Sequence, residues 1–124
     1  RLPHKSIEKA KAKEIAEKTG HLTVGYDMVI TSRDDIMPVD CIVISGSKIF
    51  GYTRSEKVDL KALENYIRTM LTANGFDGLT VKIFNEYKPF LTRAEGLNNI
   101  AAVEMEDTKE NEEAIRSVIL NISL

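Results

Sequence analysis

The sequence predicts an α+β fold, a two-layer sandwich in which helices gather on one face of a mostly antiparallel sheet of four to five strands. Three observations carry this. Residues 22–30 alternate as a half-buried strand does. The apolar run Cys41-Ile42-Val43-Ile44 is joined to Ile49-Phe50-Gly51-Tyr52 through Ser45-Gly46-Ser47-Lys48, and Leu60, Leu63, Ile67, Met70 and Leu71 recur at helical spacing. The expected order is α-β-β-β-α-β-β-α, within a single domain over residues 1–124.

Taken in order, Ser6 is the expected N-cap of a helix reaching about Lys18, with Glu8 in its first turn and Gly20 at its end. Its apolar stripe of Ile7, Ala10 and Ile15 is thin, so the helix should lie over an edge of the core or extend from it. In the first strand, Leu22, Val24, Tyr26, Met28 and Ile30 should face one way, and Thr23, Gly25, Asp27 and Val29 the other. Residues Ser32 to Pro38 break the pattern and read as a loop with Ile36 and Met37 exposed, because Pro38 lacks an amide proton and Asp34-Asp35 suits a turn. Two strands follow, at about 40–45 and 48–53, with Gly46 and Ser47 at the centre of a tight hairpin turn.

Asp59 should cap the next helix while Val58 packs on Leu63, and Asn74-Gly75 should end it. Leu79 to Phe84 alternates as a fourth strand. Tyr87-Lys88-Pro89 reads as an interruption, Thr92 to Leu97 as one helical turn, and Ile100 to Met105 as a fifth strand. The last segment reads as a helix, with Thr108 as cap, an acidic first turn, and Ile115, Val118, Ile119 and Ile122 at helical spacing. Ser117 to Leu124 also alternates at period two, which leaves a strand as the alternative there.

Composition narrows the chemistry. A net charge of −2 argues against general binding to a phosphate backbone. Lys5, Lys9, Lys11, Lys13 and Lys18 make the start basic, and Glu104, Glu106, Asp107, Glu110, Glu112 and Glu113 make the end acidic. These read first as solvated helix faces, with mutual attraction of the two ends as the alternative. Cys41 stands alone inside a strand pattern and reads as a small core hydrophobe rather than a nucleophile. No stretch reaches the roughly 20 apolar residues of a membrane span. The chain begins at Arg1 without methionine, as expected of a fragment or processed form, so a membrane anchor upstream stays open.

No cofactor or metal is expected. Only His4 and His21 accompany the single cysteine, too few for a closed zinc set. Asp34-Asp35 and Glu104-Glu106-Asp107 lack the glycine turn of a calcium loop and read as turn and cap residues. Gly46-Ser47-Lys48 falls between two apolar strands, whereas a phosphate loop lies between strand and helix. Asn121-Ile122-Ser123 has glycosylation spacing in an apolar context that argues against its use. Arg54, Lys57 and Lys61 follow the hairpin. Lys82, Lys88 and Arg93 surround the fourth strand with Tyr87 and Phe90 between them, the one arrangement suited to single-stranded nucleic acid, and one that an anionic partner protein or lipid surface would use equally well.

From about Asp40 to Asn99 the run of features resembles the sporulation lipoprotein family. The matching residues are Cys41-Ile42-Val43-Ile44 with Ser45-Gly46-Ser47, Ile49-Phe50-Gly51-Tyr52, Leu60-Lys61-Ala62-Leu63, and Val81-Lys82-Ile83-Phe84 followed by Phe90-Leu91-Thr92-Arg93. The same order is similar to ring-building modules of secretion systems. The resemblance implies a small α+β domain that associates side by side through helix and sheet edges. The long first strand, the acidic stretch from Glu104 to Glu113 and the absence of a lipid-attachment cysteine depart from it.

The leading functional expectation is a non-catalytic protein-interaction or assembly domain of an envelope- or virion-associated protein, with a protein partner or a homo-oligomer. Ile36, Met37, Arg54, Lys57, Tyr87 and Arg93 are its candidate contact residues. The alternative is an enzyme acting on a small molecule or nucleotide in a cleft near Tyr26, Asp27, Arg54 and Tyr87, and single-strand nucleic-acid binding comes third. Burying a large apolar side chain is worth roughly 1.5–3 kcal/mol, so Leu63→Asp or Ile67→Asp should abolish cooperative thermal unfolding monitored by circular dichroism. Melting like the parent would remove that helix from the core.

Overall fold

A computed structural model describes residues 5–124. Among the described residues, four helices and four strands follow one another as α1 (Lys9–Lys18), β1 (Thr23–Ser32), β2 (Asp35–Ser45), β3 (Lys48–Tyr52), α2 (Leu60–Ala73), β4 (Thr80–Phe84), α3 (Tyr87–Glu104) and α4 (Lys109–Asn121). The class is the α+β expected, with a sheet in the order β1-β2-β3-β4. The first three strands are antiparallel, and β4 lies parallel to β3 because α2 crosses between them.

The helices occupy both faces of the sheet rather than one. Leu63, Ile67 and Leu71 of α2, with Ile115 and Ile119 of α4, pack on Ile42, Ile44, Ile49 and Ile83. On the opposite face Ile15 of α1 joins Phe90, Ala94 and Leu97 of α3 over Cys41, Val43, Phe50 and Tyr52. This explains why 41–44 and 49–52 run without polar alternation: a strand covered on both sides needs apolar residues at every position.

Local chemistry sets α2 as expected. Asp59 accepts the Ala62 amide at 3.0 Å, and Gly75, at φ +91°, closes the far end, where the Phe76 amide bonds the Leu71 carbonyl and the Gly75 amide bonds that of Thr72. The expected interruption at Pro89 is instead the first turn of α3, where a missing amide proton costs no helical hydrogen bond. The expected fifth strand at Ile100–Met105 is corrected with it. Phe90, Ala94 and Leu97 form one buried helical stripe that the half-buried Ala101 extends, and α3 continues to Glu104 before Met105 turns left-handed at φ +50°. Residues 109–121 are helical, and Ser123 then bridges Ile30 at the sheet edge.

Ser6 does not cap α1, which begins at Lys9; the Ile7 amide donates to Asp27 Oδ1 at 2.9 Å, and this fixes the preceding segment against the sheet. The Ser32–Pro38 loop is also corrected. It contracts to the two-residue turn Arg33–Asp34, and Asp35, Ile36, Met37 and Pro38 belong to β2. Pro38 is tolerated because its partner Val29 bonds outward, to Ser123 Oγ and the Leu124 amide, which marks a pair without mutual hydrogen bonds. The Pro38 nitrogen therefore points away from β1, on the side where β3 has already ended opposite Cys41.

The alternation of β1 is broken at Asp27. The ladder passes from Tyr26–Cys41 to Met28–Val39 and skips Asp27 and Asp40, which lie opposite each other. One unpaired residue in each strand reverses the faces. Val24 and Tyr26 pack beneath α1 and α3, whereas Met28 and Ile30 pack beneath α2 and α4, as do Met37 and Val39 beyond Cys41. Asp27 holds φ +56°, a conformation that aspartate and asparagine tolerate and β-branched residues do not. Asp27→Val should therefore destabilise by about 2 kcal/mol through the left-handed strain and the lost Ile7 hook, while Asp27→Asn keeps both. Urea unfolding of the two variants checks this, and equal midpoints would remove the kink as a determinant.

Candidate functional site

Three buried carboxylates lie in the sheet–helix interfaces, and each accepts a main-chain amide from a neighbouring element. Asp40 Oδ2 takes the Arg54 amide at 2.7 Å, Glu64 Oε2 takes that of Ile83 at 2.8 Å, and Glu112 Oε2 takes that of Gly46 at 2.7 Å. Glu64 thereby engages an outward amide of β4, where another strand would otherwise pair. Glu112 also accepts the hydroxyls of Thr23 and Thr108, at 2.7 and 2.6 Å, and lies 3.2 Å from Lys109 Nζ. Burial alone would raise its pKa; these four donors more than cancel that and hold it below its ordinary value.

The cleft expected near Tyr26, Asp27, Arg54 and Tyr87 is crossed by the chain's own N-terminal segment. Ile7 hooks onto Asp27, and the Arg54 guanidinium donates to the Lys5 carbonyl while its Nε stands 3.3 Å from Asp40. Burial raises the Asp40 pKa against the opposing pull of Arg54. Tyr87 donates to Glu14 Oε1 at 2.7 Å beneath Lys11, and burial, then that carboxylate, push its phenol up. Burial likewise pushes the Cys41 thiol up, next to Asp40 and Asp27, so the thiolate is suppressed.

Around β4 the aromatic rings are covered, whereas Lys82, Lys88 and Arg93 stay exposed. Phe90 is fully buried, and the Arg93 guanidinium lies over Phe50 and Phe84, 4.9 and 5.9 Å from the ring centroids. Helix α3 thus covers the rings on which bases would stack. Lys57 is exposed after β3, Ile36 is 58% exposed, and Met37, expected at the surface, is buried beneath α2 and α4. Among the described residues no group of three His, Cys, Asp or Glu side chains is placed to hold a metal ion, and no helix is long and apolar enough to cross a membrane. His4 lies outside the described residues.

A different surface stands out where α3 meets α4. Ile100, Val103 and Met105 are 51%, 83% and 82% exposed, close together on the last turn of α3 and its cap. Beside them opens a cleft of about 370 Å³, floored by the Ser45–Lys48 turn and bounded by His21, Leu97, Met105 and Lys109. Its floor is held by Glu112 through the Gly46 amide, which is therefore not available to an anion. Sequence reading missed this surface because Ile100–Met105 resembled a strand. The available signal was a second apolar stripe, Ile100 and Val103, off the Phe90–Ala94–Leu97–Ala101 stripe that the core uses.

Glu112 is the group that shapes this cleft. Its folded pKa is depressed below 4.5, so its stabilisation is complete above that pH and is lost as pH falls through the folded value. Asp40, with a raised pKa, acts in the opposite sense. Glu112→Ala should cost roughly 2 kcal/mol by orphaning its partly buried donors, and Glu112→Gln should flatten the decline in stability below pH 4.5 measured by urea unfolding across pH. An unchanged acid profile would remove Glu112 from that role. No protein-family model, curated protein or solved structure matches the chain.

Proposed function

We propose that this domain is a non-catalytic protein-interaction module whose docking surface is the corner between α3 and α4. The observation that carries the reading is the cluster of Ile100, Val103 and Met105, large apolar side chains that contribute little to the core yet sit side by side next to a cleft. Contiguous exposed apolar surface of this kind is characteristic of binding sites. The internal engagement of Asp40, Glu64 and Glu112 by main-chain amides supports structural roles for the buried carboxylates rather than acid-base roles. An envelope- or virion-associated parent, in keeping with the resemblance of residues 40–99 to sporulation lipoproteins, is part of the same proposal.

A photo-crosslinking residue at Val103 should yield a discrete protein adduct in cells that make this protein, whereas one at Thr72 on the outer side of α2 should not. Val103→Asp should remove a partner bound there without changing the melting temperature, because the side chain is 83% exposed. Absence of an adduct, or equal labelling from both positions, would overturn the reading.

A further inference from the structure

The chain carries a surface complementary to this corner at its other end. Around Val103 and Met105 stand Glu104, Glu106, Asp107 and Glu110, all exposed and none in an ion pair among the described residues. On α1, Lys11 and Lys18 are engaged by Glu8, Tyr87 and Glu95, but Lys9 and Lys13 are exposed and, among the described residues, have no carboxylate partner. Ala10 and Ala16 are exposed on either side of the Lys9–Lys13 row, which leaves shallow flanks along the lysine stems for Val103 and Met105. Glu17, four residues on from Lys13, is exposed on the same face, where the two lysines leave an excess of positive charge.

The two surfaces do not meet within one molecule. Helix α1 lies against the first half of α3, with Lys11 over Tyr87 and Lys18 on Glu95, whereas the acidic stretch begins where α3 ends. We infer that the lysine face of α1 in one copy docks on the α3–α4 corner of the next, a head-to-tail contact between copies of this chain. The inference rests on reading that corner as an interaction surface. The two patches differ, so the contact is heterologous and repeats into an open chain or closes into a ring. Its charge component weakens as salt shortens the range of the attraction.

Sedimentation velocity of the intact chain is the test. The expected result is a mass that rises with protein concentration at low ionic strength and falls back on adding salt. Lys9→Glu with Lys13→Glu should abolish it, and so should Glu106→Lys with Asp107→Lys, each with an unchanged circular dichroism spectrum. Mixing these two variant proteins restores opposite charge at every contact and should restore association. A chain that stays monomeric throughout, or one whose association ignores both charge reversals, would overturn the self-docking inference. A Val103 adduct with a different protein would then leave the interaction reading standing, and its absence would remove both.

Discussion

The fold depends on burying β2 and β3 on both faces. Ile42, Ile44 and Ile49 point one way, and Cys41, Val43, Phe50 and Tyr52 the other, all buried. Such a pair cannot be covered by a single helical layer, so α2 and α4 close one side and α1 with α3 the other. The helix that links β3 to β4 also makes that pair parallel, because a strand leaving one end of the sheet must return through a crossover to run in the same direction.

Burying the middle of the sheet creates a second requirement, satisfaction of main-chain groups at its ends and edge. Carboxylates meet it: Glu112 at the hairpin turn, Glu64 at the β4 edge, Asp40 at the end of β3, and Asp27 on the incoming N-terminal segment. A carboxylate accepting a main-chain amide gives a charge-assisted hydrogen bond, stronger than a neutral one. The residues that looked most able to perform chemistry are therefore those that join the elements. The apolar end of α3 within an acidic rim and the lysine face of α1 stay at the surface, the two patches on which the proposed interaction rests.

The legible parts of the sequence are those governed by neighbours in the chain. Asp59, Val58 and Asn74-Gly75 frame α2 through caps that act over a few residues, and Gly46 permits the positive φ of its turn. Where a local signal had two meanings, tertiary packing chose. Pro89 reads equally as a break or as a first helical turn, and the burial of Phe90, Ala94 and Leu97 against the sheet selects the helix. Ile36-Met37 reads as a loop because of Pro38, yet the missing proton falls on a side of β2 that has no partner strand. The candidate site was the least legible. Arg54 and Tyr87 looked free for ligands and are engaged by the N-terminal segment and by α1, while Ile100 and Val103 looked like strand residues and are exposed.

By itself the sequence determined the α+β class, the hairpin around Gly46, the α2 helix with both its ends, and Cys41 as a core residue, because hydrophobic period, turn chemistry and capping are short-range properties. Only the tertiary structure decided that helices cover both faces, that β1 and β2 exchange faces at Asp27 and Asp40, and that the end of α3 is left exposed. Each of these depends on contacts between residues distant in the chain: Ile7 on Asp27, Arg54 on Asp40, Gly46 on Glu112. A local pattern records which side chains are apolar, and folding determines which of them find a partner.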